Sequence, residues 1–256
     1  MYQKIGGDIM KSCVFVFMTM LLSSQMFAQT AKEVVQKADQ LMKANSSYSE
    51  VEMTIIKPDW SRSMGLKIWS LEPEYAMIYV TEPARDKGTV TLKRKNEVWN
   101  WIPSAQKVIK IPPSMMMQSW MGSDFTNDDL VKESSIVDDY THKFIGEESL
   151  QGYDCWKVEM TPNPDAGVVW GKIVTWISKK EFFEVKADYY DEDENIVKSF
   201  NGSNPSKMDD RTILTHWEMV PVDEPGNKTI LDYKKIDFNI DISQSFFSEQ
   251  NMKRVR

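Results

Sequence analysis

Apolar and polar residues follow two different periodicities along this 256-residue chain. Between residues 30 and 44, apolar side chains recur at helical spacing behind the sequence Thr-Ala-Lys-Glu, which is a capping box. We therefore predict an amphipathic helix over residues 30–44. Beyond it, apolar and polar residues alternate with a period of two, which is typical of strands that bury one face.

The alternating segments predict about eleven strands, among them residues 64–68, 156–160 and 213–219. Most of the connections between them are short, such as the acidic turn at residues 191–195. Strands joined by short turns form antiparallel neighbours. We therefore predict a mainly β protein with few helices, whose up-and-down antiparallel sheet curls into a barrel or half-barrel. One domain is expected over residues 29–256.

One long connection, at residues 112–133, interrupts the series of strands. Pro113 suits the first turn of a helix and Gly122 suits a helix end. A second short helix, capped by Thr126 or Asn127, is expected after it. Large apolar side chains in a connection of this length are typical of a functional lid. A helical plug that completes the core explains the composition equally well.

The N-terminal residues have the pattern of a signal peptide. An apolar run of ten residues follows Lys11, which is too short to cross a bilayer, since a spanning helix needs about 20 residues. We predict a signal peptide at residues 1–28, cut after the small residue Ala28, so that the mature chain begins at Gln29. A lipid anchor is not expected, because Cys13 precedes the apolar run.

Charge and composition exclude several classes of function. The formal net charge of −7 argues against a nucleic-acid-binding protein, which normally carries a basic excess. Two His and two Cys in the whole chain are too few for a Cys-rich or His-rich metal site. Cys155 would be the one thiol of the mature chain, and its position in an alternating segment indicates a structural role.

The usual catalytic motifs are missing from the sequence, which has no nucleophile elbow, zinc-binding His-Glu-x-x-His, phosphate-binding loop or dinucleotide-binding glycine pattern. His142 and His216 lie in separate predicted strands, where such residues are more often structural than catalytic. Asp124, Asp128 and Asp129 are close enough for a hard cation, but helix capping explains them more simply. We expect no cofactor, no metal and no enzymatic activity.

The sequence is rich in methionine and aromatic residues, with 17 Met, 9 Trp and 11 Phe. Such side chains suit an adaptable apolar cavity as well as an ordinary core. If a cavity exists, its lining comes from one face of the strands and from the connection at residues 112–133, where residues 115–121 form the hypothetical lid. The candidate ligand-binding residues are Met53, Ile55, Leu66, Ile68, Trp99, Trp101, Met116, Met117, Trp120, Met121, Trp156, Val158 and Trp217.

Several short segments, weak singly but specific in their order, cover nearly all of the predicted mature chain. They are Pro-Glu-Tyr-Ala-Met-Ile-Tyr-Val (73–80), Lys-Gly-Thr-Val (87–90), Val-Trp-Asn-Trp-Ile-Pro (98–103), Ile-Lys-Ile-Pro-Pro (109–113), Gly-Ser-Asp-Phe-Thr-Asn-Asp-Asp-Leu (122–130) and Leu-Asp-Tyr (231–233). With them the chain resembles the LolA/LolB superfamily of periplasmic lipoprotein carriers in Gram-negative bacteria. It is most similar to the LolA-like outer membrane lipoprotein-sorting proteins, which include the TP-0789-type domain.

The resemblance implies an unclosed antiparallel barrel whose concave face is covered by helices, leaving a hydrophobic cavity for acyl chains. It implies lipoprotein or lipid acyl chains as ligands, an inner-membrane transporter and an outer-membrane acceptor as partners, and a periplasmic location without stable membrane insertion. It implies neither nucleic-acid binding nor catalysis. One departure concerns the lid: a typical LolA carries an Arg before the Pro at the end of the second strand, whereas Glu72 precedes Pro73 here.

Three hypotheses of different classes follow. The first is a periplasmic carrier of lipoprotein acyl chains or lipids for transfer towards the outer membrane, with a lipid-binding accessory of an RND-type exporter as a variant. The second is a lipid hydrolase that uses His142 or His216 beside a Ser or Asp. The third is a structural or sensing module with a filled core that only binds a partner protein.

N-terminal sequencing tests the predicted signal peptide. We expect the exported protein to begin at Gln29, because Ala28 is the small residue at the predicted cut. Recovery of the protein in an integral-membrane fraction with residues 14–22 still attached would contradict this prediction.

Overall fold

A computed structural model describes residues 29–131 and 135–256. The predicted signal peptide, residues 1–28, lies outside the described residues. Residues Ala31–Arg256 form one compact unit that consists mainly of β-strands.

Residues 29–131 and 135–256 form three α-helices and thirteen strands. The helices are α1 (Ala31–Met42), α2 (Asn127–Val131) and α3 (Glu249–Met252). The strands are β1 (Ser46–Lys57), β2 (Trp60–Leu71), β3 (Tyr75–Glu82), β4 (Val90–Arg94), β5 (Glu97–Ile102), β6 (Lys107–Lys110), β7 (Tyr140–Leu150), β8 (Tyr153–Pro162), β9 (Lys172–Ser178), β10 (Glu184–Tyr190), β11 (Ile196–Met208), β12 (Arg211–Pro221) and β13 (Lys228–Phe238).

All thirteen strands belong to one antiparallel sheet in the order β6-β5-β4-β3-β2-β1-β13-β12-β11-β10-β9-β8-β7. Sequential strands are neighbours except for β6 and β7, and the first and last strands pair with each other in the middle of the sheet. The sheet does not close, because its two edges, β6 and β7, do not pair. The chain passes from one edge to the other through residues 111–139, which we call the insert.

Strand register shows which residues share a face of the sheet. Met53 on β1 lies opposite Leu231 on β13, and Leu231 lies opposite Trp217 on β12. Farther along the sheet, Phe200, Ala187, Thr175 and Val158 lie in register on the same face. Directly opposed residues point the same way. This inner face is therefore continuous from β1 to β8.

Helix α1 covers one half of the inner face and the insert covers the other. Val34 and Val35 of α1 are fully buried against β8, β9 and β10, where Val158 and Ala187 are among their neighbours. Trp120 of the insert packs against Met53 and the rest of a cluster from β1, β2 and β3. Each large apolar side chain buried in this way stabilises the fold by about 1.5–3 kcal/mol.

The C-terminal segment covers the opposite, outer face of the first half of the sheet. Phe247 and Met252 are completely enclosed in a cluster with Tyr75, Met77 and Leu92. The sheet is therefore covered by apolar segments on both faces, and not on its concave face alone.

The structure confirms the predicted fold class, an unclosed antiparallel sheet with few helices, although it has thirteen strands rather than about eleven. The strand that the alternation pattern did not reveal is β11, Ile196–Met208. Gly202 and Pro205 interrupt its sequence, and both residues are normally depleted in strand interiors. Gly202 is closely surrounded, since a Cβ atom there would lie 2.7 Å from Leu214 Cδ1 and 3.1 Å from the backbone oxygen of Glu184.

Replacement of Phe247 by Ala tests the role of the C-terminal segment. We expect a loss of about 3–5 kcal/mol in the free energy of unfolding, because the ring fills a closed apolar site. Urea unfolding of the variant measures this loss. As a control, Phe144→Ala removes a ring that is 36% exposed on the edge strand, and it should cost less than about 1 kcal/mol. Equal effects of the two substitutions would contradict the assigned packing.

Candidate functional site: a cavity between the insert and the inner face

The first part of the insert, residues 111–131, is a series of turns that ends in the short helix α2. A 3₁₀ turn at Pro113–Met115 comes first, and the chain then reverses so that Ser119 pairs with Thr126. Met121 and Gly122 carry the reversal, with φ angles of 55° and 81°. The backbone N–H groups of Trp120 and Asn127 donate to the carbonyls of Phe125 and Gln118, so residues 118–120 pair as one side of a hairpin. The expected helix over residues 115–121 is therefore not formed, whereas the expected short helix capped by Thr126 is confirmed.

A buried ion pair fixes the middle of the insert to the sheet. Lys57 Nζ lies 2.5 Å from Asp124 Oδ1, and the Asp124 side chain is only 3% exposed. Thr229 on β13 donates its hydroxyl proton to Asp124 Oδ2 and accepts a hydrogen bond from the Asp124 backbone N–H. Removing one partner of such a buried pair typically costs 3–5 kcal/mol. Asp124 is thus an anchor of the insert.

A second anchor joins β2 to the turn at Met121. Arg62 donates a hydrogen bond to the Met121 backbone carbonyl, and its guanidinium lies 3.7 Å from Asp86 Oδ2. Arg62 holds the insert from the start of β2, whereas Glu72 stands at the position where the family resemblance implied an arginine. Arg62 thus attaches the turn at Met121 to β2.

The third anchor joins α2 to β11. Asp129 Oδ1 accepts a hydrogen bond of 3.1 Å from Lys198 Nζ, while its Oδ2 accepts bonds from the backbone N–H and the hydroxyl of Thr126. Asp129 therefore completes a capping box and an ion pair at the same time. Among residues 29–131 and 135–256, no group of three or more His, Cys, Asp or Glu is arranged to hold a metal ion.

Beside this third anchor lies a cavity of about 260 Å³, which we call the aromatic cavity. The insert, the connection between β8 and β9, and the inner face of β9, β10 and β11 line it. Its principal side chains are Phe125, Ile136, Trp170, Tyr189, Lys198 and Phe200. Phe125 and Phe200 pack against each other in its wall, with ring centroids 5.9 Å apart. The cavity is an apolar site that carries one ion pair.

A smaller cavity of about 90 Å³, the helix cavity, lies beneath α1. Ile136 borders both cavities, so they lie on either side of the same side chain. Glu184 lines the helix cavity and accepts a hydrogen bond of 2.8 Å from the Thr175 hydroxyl. Burial raises the pKa of the Glu184 carboxyl above its ordinary value.

A larger groove of about 750 Å³ runs along the outer face of β1, β2 and β3. Its lining includes the charged residues Glu50, Glu52, Lys67 and Lys234. Charged walls disfavour an acyl chain, because burying these groups against it would remove their hydration. The aromatic cavity is therefore the better candidate for an apolar ligand, despite its smaller volume.

The model of a protein family described as "-like: Uncharacterized protein" matches residues 72–254. The chain belongs to this family. A solved DUF1329 family protein from Desulfovibrio piger is 26% identical to the chain, with a TM-score of 0.75 over 87% of this chain and 97% of that one. No curated protein is significantly similar to the chain.

Two further solved structures share the fold. One is described as an outer membrane lipoprotein-sorting protein domain from Vibrio parahaemolyticus, with 20% identity and a TM-score of 0.73 over 88% of this chain and 98% of that one. The other is a LolA superfamily protein from Nitrosomonas europaea, with 22% identity and a TM-score of 0.71 over 87% and 99%. The fold of the chain is LolA-like, which confirms the resemblance recognised in the sequence.

The structure distributes the candidate ligand-binding residues over both faces of the sheet. Those beneath or within the insert form one inner-face cluster: Met53, Ile55, Leu66, Ile68, Trp120 and Met121. Trp156 and Val158 lie on the inner face near α1, and Trp217 lines the helix cavity. Trp99 and Trp101 instead lie on the outer face, packed with the C-terminal segment.

The insert residues also differ in their surroundings. Trp120 is 5% exposed and donates its indole N–H to the Thr91 hydroxyl on β4, at 3.1 Å. Met116 is partly buried, and Met117 is 67% exposed. Trp120 thus occupies the position of a plug, whereas Met117 is held away from the core.

The lining of the aromatic cavity was not among the sequence candidates. Trp170 follows Gly-Val-Val in a connection, while Lys198 and Phe200 belong to β11, the strand that the pattern did not reveal. The alternation of Lys198, Phe200 and Gly202 was the available signal, but a lysine at an inner position looks like the polar face of a strand.

The remaining chemistry-bearing residues have structural contacts. His142 Nε2 lies 2.7 Å from the Ile136 carbonyl, and burial lowers the pKa of His142, which favours the neutral ring. His216 Nδ1 lies 2.7 Å from Asp232 Oδ1, in strand register with the outer face. Cys155 is buried, and burial raises the pKa of its thiol, which opposes the reactive thiolate form.

Replacement of Trp120 by Ala distinguishes the plug from a lid. We expect a loss of about 3–5 kcal/mol in the free energy of unfolding, because the indole is buried and its hydrogen bond to Thr91 is lost. Thermal and urea unfolding measure it. Met117→Ala is the matched control from the same insert, and it should change stability by less than about 0.5 kcal/mol. A Trp120→Ala protein of unchanged stability would contradict the plug.

Proposed function

We propose that this protein is a carrier that binds acyl chains of lipoproteins or lipids in the aromatic cavity. The observation that carries the proposal is the cavity itself, which has an aromatic lining and lies between a sheet and a separately anchored insert. Water-exposed acyl chains cost about 0.8 kcal/mol per CH₂ group, so a shielded apolar site is what such cargo requires.

The way in which the insert is attached suits reversible binding. Three polar anchors and the Trp120 ring hold it, and the Asp129 carboxylate is 27% exposed whereas the Asp124 carboxylate is only 3% exposed. Opening an ion pair costs less when water can hydrate the separated carboxylate. The α2 end of the insert is therefore the part that can separate from the sheet at the lowest cost, and it borders the aromatic cavity.

We further propose that the carrier works in the periplasm and transfers its cargo towards the outer membrane, after removal of residues 1–28. The LolA-like fold and the lipoprotein-sorting protein from Vibrio parahaemolyticus support this assignment. None of the helices in the described part of the chain is long and apolar enough to cross a membrane. The partners proposed are an inner-membrane transporter and an outer-membrane acceptor, and the transporter could be an RND-type lipid exporter.

We propose binding rather than catalysis as the activity of the cavity. His142 and His216, the bases that a hydrolase would use, do not line the aromatic cavity. His142 contacts a backbone carbonyl, and His216 contacts Asp232 on the far side of the sheet. These contacts favour structural roles for both residues.

A substitution that fills the cavity tests the proposed function. Val169 lines the aromatic cavity and is 48% exposed, so the Val169→Trp protein should fold and place an indole in the entrance. We expect binding of a fluorescent acyl probe to weaken by roughly tenfold or more, since about 1.4 kcal/mol of lost contact corresponds to that factor. Fluorescence titration of the purified protein measures the change.

The matched control is Val222→Trp, which adds the same ring at a valine that is 51% exposed and outside the cavity lining. We expect its probe affinity to equal that of the original protein. The proposed function is wrong if the original protein does not bind acyl probes, and its location is wrong if both variants bind them equally well.

A further inference from the structure

Lys198 is the only basic residue among the described residues that line the aromatic cavity. Its side chain is 12% exposed, and it lies on the inner face of β11 in register with Tyr189. Lysine is rarely buried to this extent unless it is paired, because its ammonium group loses hydration. The position therefore calls for a specific partner at the ammonium group.

The surroundings of the ammonium group are one carboxylate and three aromatic rings. Asp129 Oδ1 lies 3.1 Å from Nζ. The ring centroids of Trp170, Tyr189 and Phe200 lie 4.7, 5.5 and 5.9 Å from it. Aromatic faces stabilise a cation without taking up its hydrogen-bond donors, and an ammonium group has three donors. The site can thus present a positive charge to an anion within an apolar wall.

Asp129 belongs to the insert, not to the sheet. Its Oδ2 atom serves the capping box with Thr126, whereas only Oδ1 is used by Lys198. An anionic group that replaced Oδ1 at the ammonium would therefore leave the cap of α2 intact. It would also remove the connection between α2 and β11, which is one of the anchors of the insert.

We propose that the aromatic cavity selects amphiphiles with an anionic headgroup, a carboxylate or phosphate that binds Lys198 in exchange for Asp129. The acyl chain of the ligand then lies against Trp170 and Phe200, and the freed insert enlarges the cavity. Enlargement is needed because about 260 Å³ is slightly less than the roughly 300–1,000 Å³ of typical small-molecule sites. The inference rests on the proposed carrier function and narrows its cargo, since an acylated protein N-terminus offers no such anion.

Two probes with the same acyl chain, one anionic and one neutral, test the inference. cis-Parinaric acid is ionised at about pH 8, and its methyl ester is neutral. Both are titrated by fluorescence into the purified protein and into the Lys198→Met, Asp129→Asn and Lys172→Met variants. The measured quantity is the ratio of the affinity for the acid to the affinity for the ester, which cancels losses that affect the whole cavity.

We expect the ratio to fall roughly tenfold in Lys198→Met, as for loss of a close charge pair at an interface. It should rise in Asp129→Asn, because the competing carboxylate is gone while an oxygen remains for the cap. Lys172→Met is the matched control. Lys172 also pairs with a carboxylate, Glu194 at 3.3 Å, and lies 4.9 Å from the Tyr190 ring, but it does not line the cavity. Its ratio should not change.

The outcomes separate this inference from the proposed function. If neither probe binds the original protein, the carrier function itself fails. If both probes bind and the ratio is the same in all variants, the carrier stands and the role of Lys198 is wrong. Should Lys198→Met not fold, the Asp129→Asn ratio decides, and an unchanged or lower ratio would overturn the inference.

A second titration identifies the source of the anion. Palmitate and a lysophosphatidate with the same chain are compared as competitors of cis-parinaric acid. Stronger displacement by palmitate indicates free fatty acids, and stronger displacement by the lysophosphatidate indicates phospholipid headgroups. Displacement by neither, while hexadecanol displaces the probe, would contradict selection for an anion.

Discussion

The structure depends on one constraint: a thirteen-stranded sheet that does not close must cover an apolar inner face by other means. The inner-face residues of β1, β2 and β8 are almost completely buried, yet no second sheet covers them within the described part of the chain. Helix α1 and the insert supply that cover. Helix α1 and the insert pack against different strands. Cavities therefore remain between the two covered areas, on either side of Ile136.

The insert is attached to the sheet by one apolar contact and by ion pairs, which differ in how readily a ligand can replace them. The Trp120 ring is a conventional apolar contact with the sheet, stabilised further by its bond to Thr91. The insert also makes two ion pairs with the sheet, Lys57 with Asp124 and Lys198 with Asp129. The energy of an ion pair depends on whether water or another charged group can contact the same charges. The insert is therefore a plug at its centre, and its α2 end is attached in a way that a ligand can compete with.

Much of the fold was predictable because strand alternation and helical spacing report directly on burial. The helix predicted over residues 30–44 is α1, at Ala31–Met42, and the long connection falls where the alternation stops. Strand β11 was missed because its sequence contains Gly202 and Pro205. Gly202 fits the close packing around it, and Pro205 pairs with Leu214 on β12. A local sequence pattern contains neither of these tertiary contacts. The expected helix over residues 115–121 did not form because Gln118 and Trp120 make hairpin hydrogen bonds with Asn127 and Phe125, and this arrangement places Trp120 over the sheet.

The candidate site was less predictable than the fold, for a physical reason. The choice of face depends on register across several strands, so Trp99 and Trp101 looked equivalent to Met53 until pairing placed them on the outer face. The aromatic cavity joins Phe125, Trp170 and Lys198, which are separated by long stretches of sequence and come from three different elements. Such a site is determined by tertiary packing and has no local motif.

The central claim is that an acyl chain lies between the insert and the inner face, in the aromatic cavity. A crystal of the protein grown with a fatty acid brominated along its chain tests it most directly, since anomalous scattering locates the bromine atoms independently of interpretation. The account predicts bromine density between Trp170 and Phe200. Bromine found only in the outer-face groove beside Lys67 and Lys234, or nowhere on the protein, would contradict it.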